Sequence, residues 1–211
     1  GLIIYLGTVF GITLLMGFLV RAAFRNNQSV SIYAGVQMLY PAMGVIIAGF
    51  FTRKDLFQKM KRIYWTYLIA GVVCILALVL YTFSGSSLFT AMISYAGTIG
   101  SLLIFLWIFF MDSPMRKACG FGLGKKGVQN FVKYLILFFI FRIMYQVVSI
   151  AYLFFIGEYT FSDFSQMIYS SPSTAVIFVV NLFLLIQMFF TNFIYFWGEE
   201  YGWRYFLQPY L

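Results

Sequence analysis

Six apolar runs, each about the twenty residues that a helix needs to cross a hydrocarbon layer, leave this chain few ways to fold. They cover residues 2–20, 30–51, 63–83, 88–111 and 131–156, and a sixth starts near Thr174 and runs into the carboxyl-terminal segment. Only 9% of the 211 residues are charged, against roughly 25% in a soluble domain. The expected fold is all-α, a polytopic transmembrane helical bundle with about six spans. A secretory signal is the rival reading of the first run. It is disfavoured by the lack of a basic start and by bulky residues near the end of the run. Pro41 lies inside the second run and is expected to kink it.

The net charge of +8 is concentrated in two links. Residues 52–62 hold Arg53, Lys54, Lys59, Lys61 and Arg62, with Asp55 as the only acid. Residues 112–130 hold Arg116, Lys117, Lys125 and Lys126, with Lys133 just beyond. Basic links between apolar runs follow the positive-inside rule, so both are expected in the cytosol, together with the N-terminus and the end of the sixth run. Arg21 and Arg25 then fall outside, a mild conflict. The expected location is the cell membrane, and the lipid bilayer is an expected partner; no nucleic acid is expected, because most basic residues fall in two short links between apolar runs. The glycine-rich stretch at residues 120–127 (GFGLGKKG) has neither the spacing nor the preceding strand of a phosphate loop, and reads as a linker. Cys74 and Cys119 form no CxxC pattern or disulfide framework. Trp65 and its tyrosine neighbours Tyr64 and Tyr67 read as an interfacial belt.

Polar residues inside the apolar runs are costly. Arg142, near the middle of the fifth run, costs roughly 2.5–3.5 kcal/mol by insertion scales. Gln146 and Ser149 continue its face. Two readings are compatible with that stripe, a helix–helix clamp or the wall of a watery cavity. In the sixth run Asn181, Asn192 and Glu199 fall within about 20° of each other if the helix is continuous. Met188 shares the stripe. Asparagines there read as packing glue or as cavity lining.

The densest polar feature is residues 198–211, GEEYGWRYFLQPYL. Glu200 and Arg204 stand at i,i+4 and can pair on one helical face. Glu199 is rotated by roughly 100° and has no partner in its own turn. Gly202, three residues on, is expected to leave room beside it. At a membrane edge the Glu200–Arg204 pair is expected to be partly buried, so that loss of Arg204 costs up to about 3–5 kcal/mol. Tyr195, Phe196, Trp197, Tyr201, Trp203 and Tyr205 surround the motif as a headgroup belt would.

The segment GEEYGWR resembles the EExxxR signature of the CPBP family of intramembrane proteases, which includes CAAX prenyl endopeptidases and Abi-like proteins linked to bacteriocin immunity. RYFLQPYL is similar to the family's continuation, an apolar and aromatic run ending in proline. The resemblance implies a hydrolase in which Glu199, Glu200 and Arg204 form the catalytic set, with Glu199 activating water. Asn181, Asn192 and Arg142 are the possible cavity lining. It implies a peptide or protein substrate, and a division into residues 1–119, about four amino-terminal spans, and residues 120–211, the start of the catalytic domain. The family also uses downstream histidines, in FxxxH and a later motif, for water positioning and oxyanion stabilisation. This sequence contains no histidine, and the expectation is of a fragment inactive alone.

Metal dependence stays open. A divalent metal such as zinc would need ligands from outside this chain, because catalytic zinc typically takes three protein ligands. No HExxH or dinucleotide-binding motif is present. Two other function classes remain: a small-solute transporter with Arg142, Asn181 and Asn192 along its path, and a non-catalytic membrane immunity or scaffold protein.

Overall fold

The computed structural model describes residues 1–118, 125–158, 160–163, 165, 183–184 and 186–211. Among them the backbone is helical between short turns. The helices are α1 (Leu2–Arg25), α2 (Ser31–Gln37), α3 (Tyr40–Thr52), α4 (Lys54–Lys59), α5 (Lys61–Ser84), α6 (Ser87–Phe109), α7 (Ser113–Ala118), α8 (Lys125–Phe155) and α9 (Phe193–Glu199). A π-helical turn, Glu200–Leu207, and a 3-10 turn, Gln208–Tyr210, follow α9. Four stretches are long and apolar enough to cross a membrane: α1, the α2–α3 pair, α5 and α6. They match the first four expected runs. The fifth falls on α8, and most of the sixth lies outside the described residues.

The chain divides into two units. The first comprises Gly1–Phe110 and Ile186–Leu211, the second Met111–Leu185. The glutamate motif therefore belongs with the amino-terminal helices, a grouping different from the 119/120 division.

Within the first unit α3 is central. Residues 40–46 are all buried, against α1 on one side and the π-turn on another. The break before α3 has a local cause: Pro41 lacks the N–H that would continue the helix from α2, and it stands in the first turn of α3. The expected kink takes the form of a two-residue turn at Met38–Leu39, where the backbone keeps right-handed helical dihedrals. Helices α5 and α6 form an antiparallel hairpin. Gly85 ends α5 in the left-handed region, at φ +66°, which costs glycine little. Ser86 then caps α6, its hydroxyl accepting from the Leu88 amide at 3.3 Å.

Interior hydroxyls find partners across helices, whereas the buried Gln28 Oε1 has none among the described residues. The hydroxyls of Tyr33 and Thr82 share a hydrogen bond. Tyr67 donates to the Leu39 carbonyl at 3.1 Å, across the break before α3. Outward-facing residues are large and apolar, among them Ile3, Leu14, Leu15 and Phe18 on α1 and Ile69 and Leu76 on α5. In water such faces would associate; they are compatible with a bilayer, where backbone groups are already paired within each helix.

In the second unit, Thr160 and Asp163 close a small turn. The Thr160 amide donates to Asp163 Oδ2 at 2.9 Å and its hydroxyl donates at 2.6 Å. These bonds hold the Asp163 carboxyl below its ordinary pKa.

Candidate functional site

The approach to the motif is a broken helix. Residues 186–191 are helical, Asn192 leaves the helical region at φ −109°, ψ 11°, and α9 starts at Phe193. Asn192 does not cap α9 with its side chain. Its amide donates to the Met188 carbonyl at 3.0 Å and to Thr191 Oγ1 at 3.3 Å. The cap comes from another helix instead: buried Ser101 on α6 accepts from the Ile194 amide at 3.0 Å and donates to the Gly97 carbonyl at 2.7 Å. Leaving that amide unpaired would cost about 1–3 kcal/mol.

This break bears on the expected polar stripe. The alignment of Asn192 with Glu199 assumed one continuous helix, and the interruption at Asn192 removes that basis. The amide of Asn192 is turned to its own preceding residues. Asn181 lies outside the described residues. Arg142 is on α8, and its side chain is likewise outside them.

Beyond Glu199 the hydrogen-bond register widens to i→i+5. Glu200 and Arg204 nevertheless meet as expected, with Arg204 Nε 2.9 Å from Glu200 Oε2. Their burial differs from expectation. The side chains are 56% and 75% exposed respectively. An exposed pair of this kind contributes about 0.2–1 kcal/mol, so the 3–5 kcal/mol of a buried pair does not apply. Glu199 is half-buried. Among the described residues no hydrogen bond or ion pair reaches its carboxylate, and the buried Tyr67 hydroxyl lies within its electrostatic range.

Gly202 also plays a different part from the one expected. A side-chain carbon there would sit 2.6 Å from the Pro41 carbonyl carbon and 2.7 Å from its Cα. The glycine does not open a space beside Glu199; it lets the π-turn lie directly on the start of α3. Gly198 is equally tight, against the Tyr67 hydroxyl and the Met38 carbonyl. Small residues permit such close helix approach in membranes.

A set of tyrosines holds the turn. Tyr5, fully buried in α1, donates to the Gly202 carbonyl at 3.3 Å. Tyr64 on α5 shares a hydrogen bond with Tyr201. Trp197 and Tyr201 stack at 4.6 Å with an interplanar angle of 16°. Trp197 and Tyr201 are buried, and Tyr195 packs on Gly97. Trp197 and Tyr201 are therefore core residues, not a headgroup belt, and the same holds for Tyr64 and Tyr67, while Tyr195 is half-buried. Tyr5 carried no motif. A lone phenol within an aliphatic run was its only signal, because a buried hydroxyl requires a partner.

Two apolar grooves open on the first unit. One, of about 400 Å³, lies between α5 and α6; the other, of about 230 Å³, is lined by Phe50, Phe57 and Trp65 among others. Neither is lined by Glu199 or Glu200. Among the described residues no three His, Cys, Asp or Glu side chains converge, so the residues present do not fit a resident metal. What the arrangement offers chemically is one carboxylate held by a cation and a second, adjacent carboxylate free to take a proton or orient water. No family model matches the chain, nor does any curated protein or solved structure.

Proposed function

We propose that this chain carries the glutamate half of an intramembrane endopeptidase of the CPBP type, in which Glu199 activates water for attack on a peptide bond. The observation that carries the reading is the division within GEEYGWR: Arg204 engages Glu200 at 2.9 Å, and the neighbouring Glu199 carboxylate has no such partner among the described residues. An unpaired carboxylate at the end of a span is a suitable general base. The sequence contains no histidine, so in this reading the oxyanion is stabilised by backbone N–H groups, by Asn, Tyr or Arg side chains, or by a second, histidine-bearing segment.

The test is cleavage in proteoliposomes of a peptide library in ¹⁸O-labelled water. The 211-residue chain should not cleave. Supplied with a histidine-bearing second segment, it should cleave and place one ¹⁸O in each new carboxylate. Comparable cleavage by the 211 residues alone would refute the need for histidines.

The proposal includes six spans with the N-terminus and the glutamate motif in the cytosol, on the charge pattern of the links. Cysteines placed at Lys125 and Ser162 should label from opposite sides, 125 from inside. Exclusive outside labelling at 125 would reverse the orientation.

One observation favours a second reading, a non-catalytic scaffold: Gly198 and Gly202 are packed against Tyr67, Met38 and Pro41, so the motif also serves as a packing element. Absence of cleavage with the second segment supplied would select it.

A further inference from the structure

The larger groove has a head and a tail. On α5, Arg62, Thr66, Ile69 and Val73 recur at i, i+4, i+7 and i+11, one helical stripe. On α6, Ala96, Ile99, Leu103 and Trp107 recur at the same kind of spacing. The two stripes face the same channel: Thr66, Ile69 and Val73 line it from α5, and Ala96, Ile99 and Leu103 from α6. Its lining is almost wholly apolar, and its volume of about 400 Å³ is within the range of small-molecule sites.

The next residues on the two stripes close one end with polar chemistry. The Arg62 guanidinium stands 5.1 Å from the centre of the Trp107 ring. Trp107 Nε1 donates to Thr66 Oγ1 at 3.2 Å. Arg62 is thus oriented over the mouth of the groove while remaining exposed. Lys59 and Lys61 stand beside it in the chain and are also exposed. Lys61 and Arg62 lie in the first turn of α5, which contains no acidic residue. The helix dipole repels cations there, and the positive end of the helix adds to their field. No ion pair to Arg62, Lys59 or Lys61 occurs among the described residues. The end of the groove therefore collects positive charge, with Asp55 on α4 the one acid in residues 52–62 and in no ion pair among the described residues.

We propose that this groove binds an anionic glycerophospholipid from the bilayer, with an acyl chain along Ile69, Val73, Ile99 and Leu103 and the headgroup phosphate at Arg62. Charge complementarity selects the occupant: an apolar channel continuous with a cationic, indole-bearing mouth matches a molecule with one apolar tail and one anionic head. Arginine suits phosphate because its planar donors bind two oxygens together.

The test uses the intact chain, purified in mild detergent, stripped of lipid and titrated with phosphatidylglycerol or phosphatidylcholine, with bound lipid counted by native mass spectrometry. Phosphatidylglycerol should be retained about 10-fold better than phosphatidylcholine. Arg62→Gln should reduce that preference to within about 2-fold while phosphatidylcholine binding stays as in the parent. A second measurement needs no variant. Phosphatidylglycerol bearing a photoreactive acyl chain should cross-link to α5 and α6 residues of the groove. Equal retention of the two lipids by the parent chain would overturn the proposal. So would cross-links confined to other helices, or a preference that survives Arg62→Gln.

Discussion

In the chain supplied with a histidine-bearing second segment, Glu199→Gln should lower peptide turnover by about 10²-fold or more and leave the melting temperature unchanged. The amide keeps the size of the carboxylate and removes its basicity, and general-base contributions have this magnitude. Folding should survive because the Glu199 carboxylate makes no hydrogen bond or ion pair among the described residues. Arg204→Ala is the companion variant. Its partner Glu200 is 56% exposed, so the loss of stability should be only about 0.2–1 kcal/mol. Both variants are to be followed by melting in detergent and by cleavage. Normal turnover in Glu199→Gln, or unfolding of that variant, would show that the two carboxylates do not divide their roles as proposed.

Gly202→Ala should lower the melting temperature by about 4–8 °C. The new methyl would meet backbone atoms of Pro41 at 2.6 and 2.7 Å, and neither can rotate away as a side chain can. Overpacking costs about 1–3 kcal/mol, a backbone contact belongs at the upper end, and alanine returns about 1 kcal/mol in helical preference. A net loss of about 2 kcal/mol in a chain of this length corresponds to that shift. Gly7→Ala is the control, since nothing lies within 4 Å of a side-chain carbon there. It should melt at or slightly above the parent temperature. If the two variants melt alike, the π-turn does not rest on Pro41 as described.

The first four long apolar helices were legible because twenty-residue apolar runs admit few alternatives. The break at Pro41 was legible too, since a missing N–H acts locally whatever surrounds it. The Glu200–Arg204 pairing followed from spacing alone and survived the change from α- to π-helical register. The register change itself was not legible. No residue type in EYGWRYFL specifies an i→i+5 bond. The contacts around it come from Tyr5, Tyr64 and Pro41, far away in the chain. Gly202 was misread for a related reason: a missing side chain is equally consistent with an open space and with a neighbour pressed close, and only the position of Pro41 decides. The Asn181–Asn192–Glu199 stripe assumed a continuous helix; the helix is interrupted at Asn192, and Asn181 lies outside the described residues.

Ser101 has a consequence for the order of biogenesis. The hydroxyl that receives the Ile194 amide is supplied from 93 residues earlier in the chain. During synthesis the α5–α6 hairpin is complete long before α9 emerges, and N-terminal parts generally fold first. Residues 186–211 therefore dock after that hairpin, and Ser101 serves as their alignment mark. A segment slipped by one residue would present the wrong amide to that hydroxyl and move Gly198 and Gly202 off Met38 and Pro41 together. A single misplacement thus carries several penalties at once, which gives a late-arriving strip of membrane protein one address to find.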